Sequence, residues 1–99
     1  MDPEHGGVYA AVYLAVSADF NDPRFADSVA SARAVGYDAY TGGGIGCDSG
    51  AAEGLRLDPN SEYYTSVLYF SSFPQAQQFA ALYPPAEVGI VQVQTFCLD

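Results

Sequence analysis

An alternating apolar run, a proline-started helical stripe and a second alternating run occur twice along this chain, with Pro23 and Pro74 in matching places. That pseudo-repetition constrains the fold more than any other feature. From Val8 to Ser17 the residues Val8, Ala10, Val12, Leu14 and Val16 point one way, and Tyr9, Tyr13 and small residues point the other. A period of two is the mark of a strand. Asp22-Pro23 is a helix start, an N-cap followed by proline in the first turn. Phe25, Val29 and Ala32 recur at helical spacing with Ala26 and Ala30 beside them, and Gly36 sits where a left-handed C-cap is wanted. The spacing predicts a helix from Pro23 to Val35 and a short strand from Tyr37 to Thr41. The second half repeats the plan: a strand from Tyr63 to Ser71, a helix opened by Pro74 with the stripe Ala76, Phe79, Ala80 and Tyr83, a stop at Pro84-Pro85, and a last strand from Val88 to Phe96.

Two split strand–helix–strand units predict an α+β domain with the ferredoxin-like βαββαβ sandwich, a four-stranded antiparallel sheet carrying two helices on one face. The 99 residues make one domain, with residues 1–7 as a flexible N-terminus and residues 42–62 as a long, glycine-rich and acidic loop. A loop of that length in a compact domain is usually functional or mobile.

In this plan the first and third strands are central, and the sheet face away from the helices is open. Alternation places Tyr9, Tyr13 and Tyr69 on that face, flanked by Gln92 and Gln94 if Val91 and Val93 face the helices. Tyrosines beside amides form a flat, polar, stackable surface. RNA-binding domains of the same plan use aromatics on these strands, but the charge here excludes that partner. Lys+Arg total 3 against Asp+Glu 12, for a net charge of −9, and there is no lysine. Neither a phosphate backbone nor an anionic bilayer surface finds the cations it needs. No apolar run is long enough to span a bilayer; the longest, Val8 to Val16, is about half of what a helix needs.

Cys47 and Cys97 are the only cysteines and His5 the only histidine, so no zinc site can be assembled. The cysteines are either a disulfide or two buried thiols. A disulfide across so long a loop adds roughly 4 kcal/mol in the chain-entropy model, and implies an oxidising, extracytoplasmic setting. The N-terminus lacks the basic start of a signal peptide. Without the disulfide, the reading is cytoplasmic.

Little supports catalysis, and no cofactor or metal is expected. His5 stands beside Gly6-Gly7 with no nucleophile near it in sequence. Asp48, Glu53, Asp58 and Glu62 share one loop, which reads as a solvated acidic loop; weak calcium binding is its better functional option, although the spacing matches no EF-hand. Gly42-Gly43-Gly44-Ile45-Gly46 lacks the Gly-Lys-Ser/Thr ending of a phosphate loop. It reads as a hairpin connection anchored by Cys47.

Three pieces, Val12-Tyr13-Leu14-Ala15-Val16, Val35-Gly36-Tyr37-Asp38-Ala39-Tyr40 and Gln75-Ala76-Gln77-Gln78-Phe79-Ala80, together resemble the SPOR (sporulation-related repeat) domain family, small bacterial domains that bind septal peptidoglycan. The chain differs from that pattern in the length of its Gly42–Glu62 segment and in lacking a basic residue at the sheet surface. The resemblance implies glycan-strand binding on the open face. The expectation is therefore a non-catalytic binding module presenting Tyr9, Tyr13, Tyr69, Gln92 and Gln94 to a glycan or protein. The alternatives are a small acidic inhibitor or immunity-type protein docking on a basic partner through its acidic loop, and a homodimer through the open sheet faces.

Overall fold

The computed structural model describes residues 6–58, 60–85 and 87–96. It is α+β, with one five-stranded antiparallel sheet and three helices. The strands are β1 (Val8–Ser17), β2 (Tyr40–Gly44), β3 (Asp48–Ser49), β4 (Tyr64–Phe70) and β5 (Gly89–Thr95), and the helices are α1 (Pro23–Ala34), α2 (Ala51–Gly54) and α3 (Phe73–Leu82). Across the sheet the order is β2-β4-β1-β5-β3. Four strands and two helices were expected. The additional pair, β3 and α2, comes from the segment read as a loop.

The two long helices begin as their sequences dictate. The Asp22 carboxylate accepts from the Arg24 backbone N–H at 2.9 Å, and Ser72 Oγ accepts from the Gln75 N–H. Proline sits in the first turn of each, where its missing N–H is harmless. Behind α1, Gly36 takes φ 93°, a backbone conformation that glycine adopts without a Cβ penalty. The strand expected from Tyr37 instead starts at Tyr40. Tyr37 donates its N–H to Ala32 O and packs its ring on Phe79 at 4.9 Å, which holds residues 37–39 against the helices and away from the ladder.

Alternation works as the sequence implies on β1 and β4. Ala10, Val12, Leu14, Leu68 and Phe70 face α1 and α3 and form a core with Ala32, Ala76, Phe79 and Tyr83. The stripe of α1 is corrected: Phe25, Ser28 and Ala32 are its buried residues, while Ala26 and Ala30 are exposed. Ser28 is tolerated there because its hydroxyl bonds Phe25 O and meets Ser66 Oγ at 2.6 Å, which satisfies both buried hydroxyls. Val16 is also corrected. A bulge between Tyr13 and Ala15 shifts the β1–β4 register, and the extra residue turns Val16 onto the second face.

That second face is not open. Ala11, Tyr13, Val67, Tyr69 and Val93 build another core there with Ile45 and Ala51. The segment expected as a mobile loop supplies its lid.

Candidate functional site

The segment from Ile45 to Leu57, here called the cover, lies across the face opposite α1 and α3. Its apolar residues Ile45 and Ala51 are buried, and Ala52, Leu55 and Leu57 pack beside them. Backbone bonds fix its edges: Ile45 N–H donates to Tyr63 O, Phe96 N–H donates to Cys47 O, and Asp48 and Ser49 pair with Thr95 and Gln94. Gly54 allows close approach, since a Cβ there would overlap the Val91 side chain. Cys47 is disulfide-bonded. Its expected partner Cys97, the only other cysteine, lies outside the described residues, as does His5.

Under the cover sits the one buried carboxyl among the described residues. Asp48, expected among the solvated acids, is only 6 % exposed. Its Oδ2 accepts from the Tyr13 phenol at 2.6 Å and from the Tyr69 phenol at 2.8 Å. Tyr13 is fully buried and Tyr69 nearly so. Burial in the apolar core raises the Asp48 carboxyl above the usual carboxylate range, and this outweighs the opposing pull of the two phenol hydrogen bonds. Both phenols are pushed far above the ordinary tyrosine range, first by burial and then by the neighbouring carboxylate. Tyr9 packs edge-on against Tyr69 at 5.9 Å, and Tyr40 lies 6.1 Å from it.

The expected ligand-binding residues are thus placed as follows. Tyr13 and Tyr69 come together, but on a carboxylate inside the protein, and Tyr9 flanks them. Gln92 and Gln94 are on the other side of the sheet, exposed, with Gln94 Nε2 donating to Gly6 O at 3.0 Å. Val91 and Val93 turn toward the cover because α2 packs on β5 there. The glutamine face of β5 is left to water. The surface on which a face-to-face dimer was expected is occupied by the cover. Gly6 and Gly7, read as part of a flexible N-terminus, are bonded to Thr95.

What the cover does present is a cleft of about 730 Å³ between its first turn, α2, Asp58 and residues 61–64. Asp48 stands in its wall, Glu53, Asp58 and Glu62 line it from exposed positions, and none of the residues lining it is Lys or Arg. The Asp58 carboxyl is held below its usual range by the Asn60 backbone N–H and then by the Ser61 hydroxyl. Tyr63, Tyr64 and Phe96 add aromatic surface, and exposed Phe20 meets Tyr64 edge-on at 5.1 Å. Among the described residues no group of three or more His, Cys, Asp or Glu is placed to hold a metal ion.

The Asp48 site has a signal in the sequence. A tyrosine at an inward strand position brings a hydroxyl that needs a partner, and Tyr13 and Tyr69 are neighbours across the central strand pair. The aromatic edge of the cleft had none, because Phe20, Tyr64 and Phe96 come from three separate parts of the chain. No family model, curated protein or solved structure matches this chain.

Proposed function

We propose that this protein is a non-catalytic binding module for a basic protein partner, engaged through the acidic, aromatic-edged cleft that the cover presents. The observation that carries the reading is the lining: Glu53, Asp58 and Glu62 exposed around a cleft of about 730 Å³, with Tyr63, Tyr64 and Phe96 beside them and no cation among the lining residues. Carboxylates attract lysine and arginine side chains, and aromatic faces hold them by cation–π contact. A net charge of −9 steers such a partner in from a distance. The oxidised state of Cys47 supports an extracytoplasmic setting. The order β2-β4-β1-β5, with β3 as an edge addition, is consistent with a ferredoxin-like sandwich elaborated by its second loop.

The test is calorimetric titration with an octalysine peptide at low and high salt. Neutralising the cleft (E53Q/D58N/E62Q) is compared with neutralising three acids elsewhere (D19N/D27N/D38N), so that net charge is matched. The expectation is a loss of about tenfold in affinity for the cleft variant beyond that of the control, and weakening with salt for the wild type. Equal losses in the two variants would reduce the interaction to net charge and refute the site.

A neutral glycan is the second reading, in line with the SPOR resemblance. The pair of exposed Phe20 and half-buried Tyr64 favours it, as an aromatic surface beside the cleft. It predicts salt-tolerant pelleting with peptidoglycan sacculi that is lost in Phe20→Ala/Tyr64→Ala.

A further inference from the structure

We infer that Asp48 is a proton-operated latch: its carboxyl, seated on the Tyr13 and Tyr69 phenols, fastens the cover over the sheet face when protonated and lets it lift when ionised. Asp48 opens a strand of two residues, and its side chain ties the cover to the central strands β1 and β4 through one oxygen that takes both phenols. Among the described residues, the buried polar side chains apart from Asp48 and the tyrosines are the uncharged Ser28, Thr65, Ser66 and Thr95. A leucine would close this face without a charge to desolvate. A carboxyl makes closure depend on protons.

The two phenol hydrogen bonds offset only part of the cost of burying the charge, and no cation among the described residues lines the site. β1 contributes Tyr13, β4 contributes Tyr69, β2 contributes Tyr40 beside Tyr69, and Tyr9 lies against the same ring. β5 has no titratable residue between Gly89 and Thr95. On the cleft side stand Glu53, Asp58 and Glu62, all acidic, and Arg56 is exposed outside that lining. The neighbouring Cys47 is tied in a disulfide and does not titrate. Ionising Asp48 therefore places a negative charge among phenols and carboxylates. Lifting the cover hands that charge to water, where the carboxyl regains its ordinary range.

The sign follows from linkage. Closed cover binds the Asp48 proton more tightly than open cover, since burial raises the carboxyl's pKa. Closure is firmest below the ordinary carboxylate range near pH 4. It weakens as pH rises toward the raised value, by up to about tenfold per pH unit within that window, and is flat above it. What the cleft binds does not enter, so this proposal stands or falls apart from the functional one.

The test is hydrogen–deuterium exchange of the ligand-free protein from pH 3.5 to 8, corrected for intrinsic rates. It reads the cover amides Gly54, Leu55 and Leu57, which bond Gly50, Ala51 and Ala52 carbonyls, against Tyr37, which bonds Ala32 behind α1. The expected result is that cover protection falls with rising pH in the wild type while Tyr37 stays constant, and that Asp48→Asn removes the slope. Tyr69→Phe, which deletes one hydrogen bond that favours the ionised form, is the second variant if Asp48→Asn does not fold; it should carry the slope to higher pH. Protection that is flat in the wild type, a slope that survives in Asp48→Asn or stays in place in Tyr69→Phe, or Tyr37 losing protection in parallel would each overturn the latch.

Discussion

Replacing Asp48 by leucine should damage this protein, and removing the two phenols as well should repair it. In Asp48→Leu the Tyr13 and Tyr69 hydroxyls lose their shared acceptor inside the core formed with Ala11, Val67 and Val93. Each orphaned hydroxyl costs about 1–3 kcal/mol, so the single change should cost about 2–6 kcal/mol, reduced by the desolvation that the carboxylate no longer suffers. For a domain of this size each kcal/mol moves Tm by roughly 4–8 °C, so a loss of about 3 kcal/mol shifts it by roughly 12–24 °C. The triple variant Asp48→Leu/Tyr13→Phe/Tyr69→Phe replaces the polar cluster with apolar contacts of similar volume. It should return to within about 1 kcal/mol of wild type or exceed it. Urea unfolding followed by far-UV circular dichroism gives both numbers, at pH 7 where the carboxylate is most costly. The reasoning is refuted if Asp48→Leu costs under about 1 kcal/mol, or if the triple variant is no more stable than the single one. Either outcome would mean that the two phenols do not depend on Asp48.

Alkaline titration should divide the 8 tyrosines: Tyr13 and Tyr69 stay protonated well past the ordinary phenol range, so ultraviolet difference spectra show their ionisation only together with unfolding. Gly54→Ala pushes a methyl into Val91 and should cost about 1–3 kcal/mol, seen as a lower urea midpoint; no change would mean that α2 does not seat on β5. Reducing the disulfide at Cys47 should lower stability by up to about 4 kcal/mol in the chain-entropy model, with the cover losing exchange protection before α1 does. In acid, Asp22 works against the latch. Its carboxyl is held low by the Arg24 side chain and then the Arg24 backbone N–H, so its share of stability is present above the usual carboxylate range and disappears as pH falls through its lowered value. Asp22→Asn should flatten that acid limb in a pH series of thermal melts.

The local chemistry of the chain was legible where period and punctuation agree. Asp22-Pro23, Pro74 and Gly36 mark helix ends by the backbone groups they satisfy or free, and the alternation in β1 and β4 sorted Val12 and Leu68 from Tyr13 and Tyr69 correctly. Which face met water was not legible. Tyr13 on an alternating strand reads the same whether it meets solvent or a buried acceptor, and its acceptor, Asp48, lies 35 residues away. Segment 42–62 carries glycines and acids that locally spell a loop, yet Ile45, Ala51, Ala52, Leu55 and Leu57 gave it enough apolar surface to close a core. Gln92 and Gln94 went to the opposite side from that expected because the strand's valines serve α2, an element whose four residues leave no helical period to read.

The tyrosine face is closed by the cover, and the cleft is the surface proposed above for recognition. Hydroxyl-radical footprinting read by mass spectrometry, on the free protein and with saturating octalysine at low salt, tests this arrangement most directly. Tyr13 and Tyr69 should be oxidised slowest in both samples, Tyr40 and Phe20 should react readily, and the peptide should protect Tyr63, Tyr64 and Phe96. Rapid oxidation of Tyr13 and Tyr69 in the free protein, or protection by the peptide away from the cleft, would contradict it.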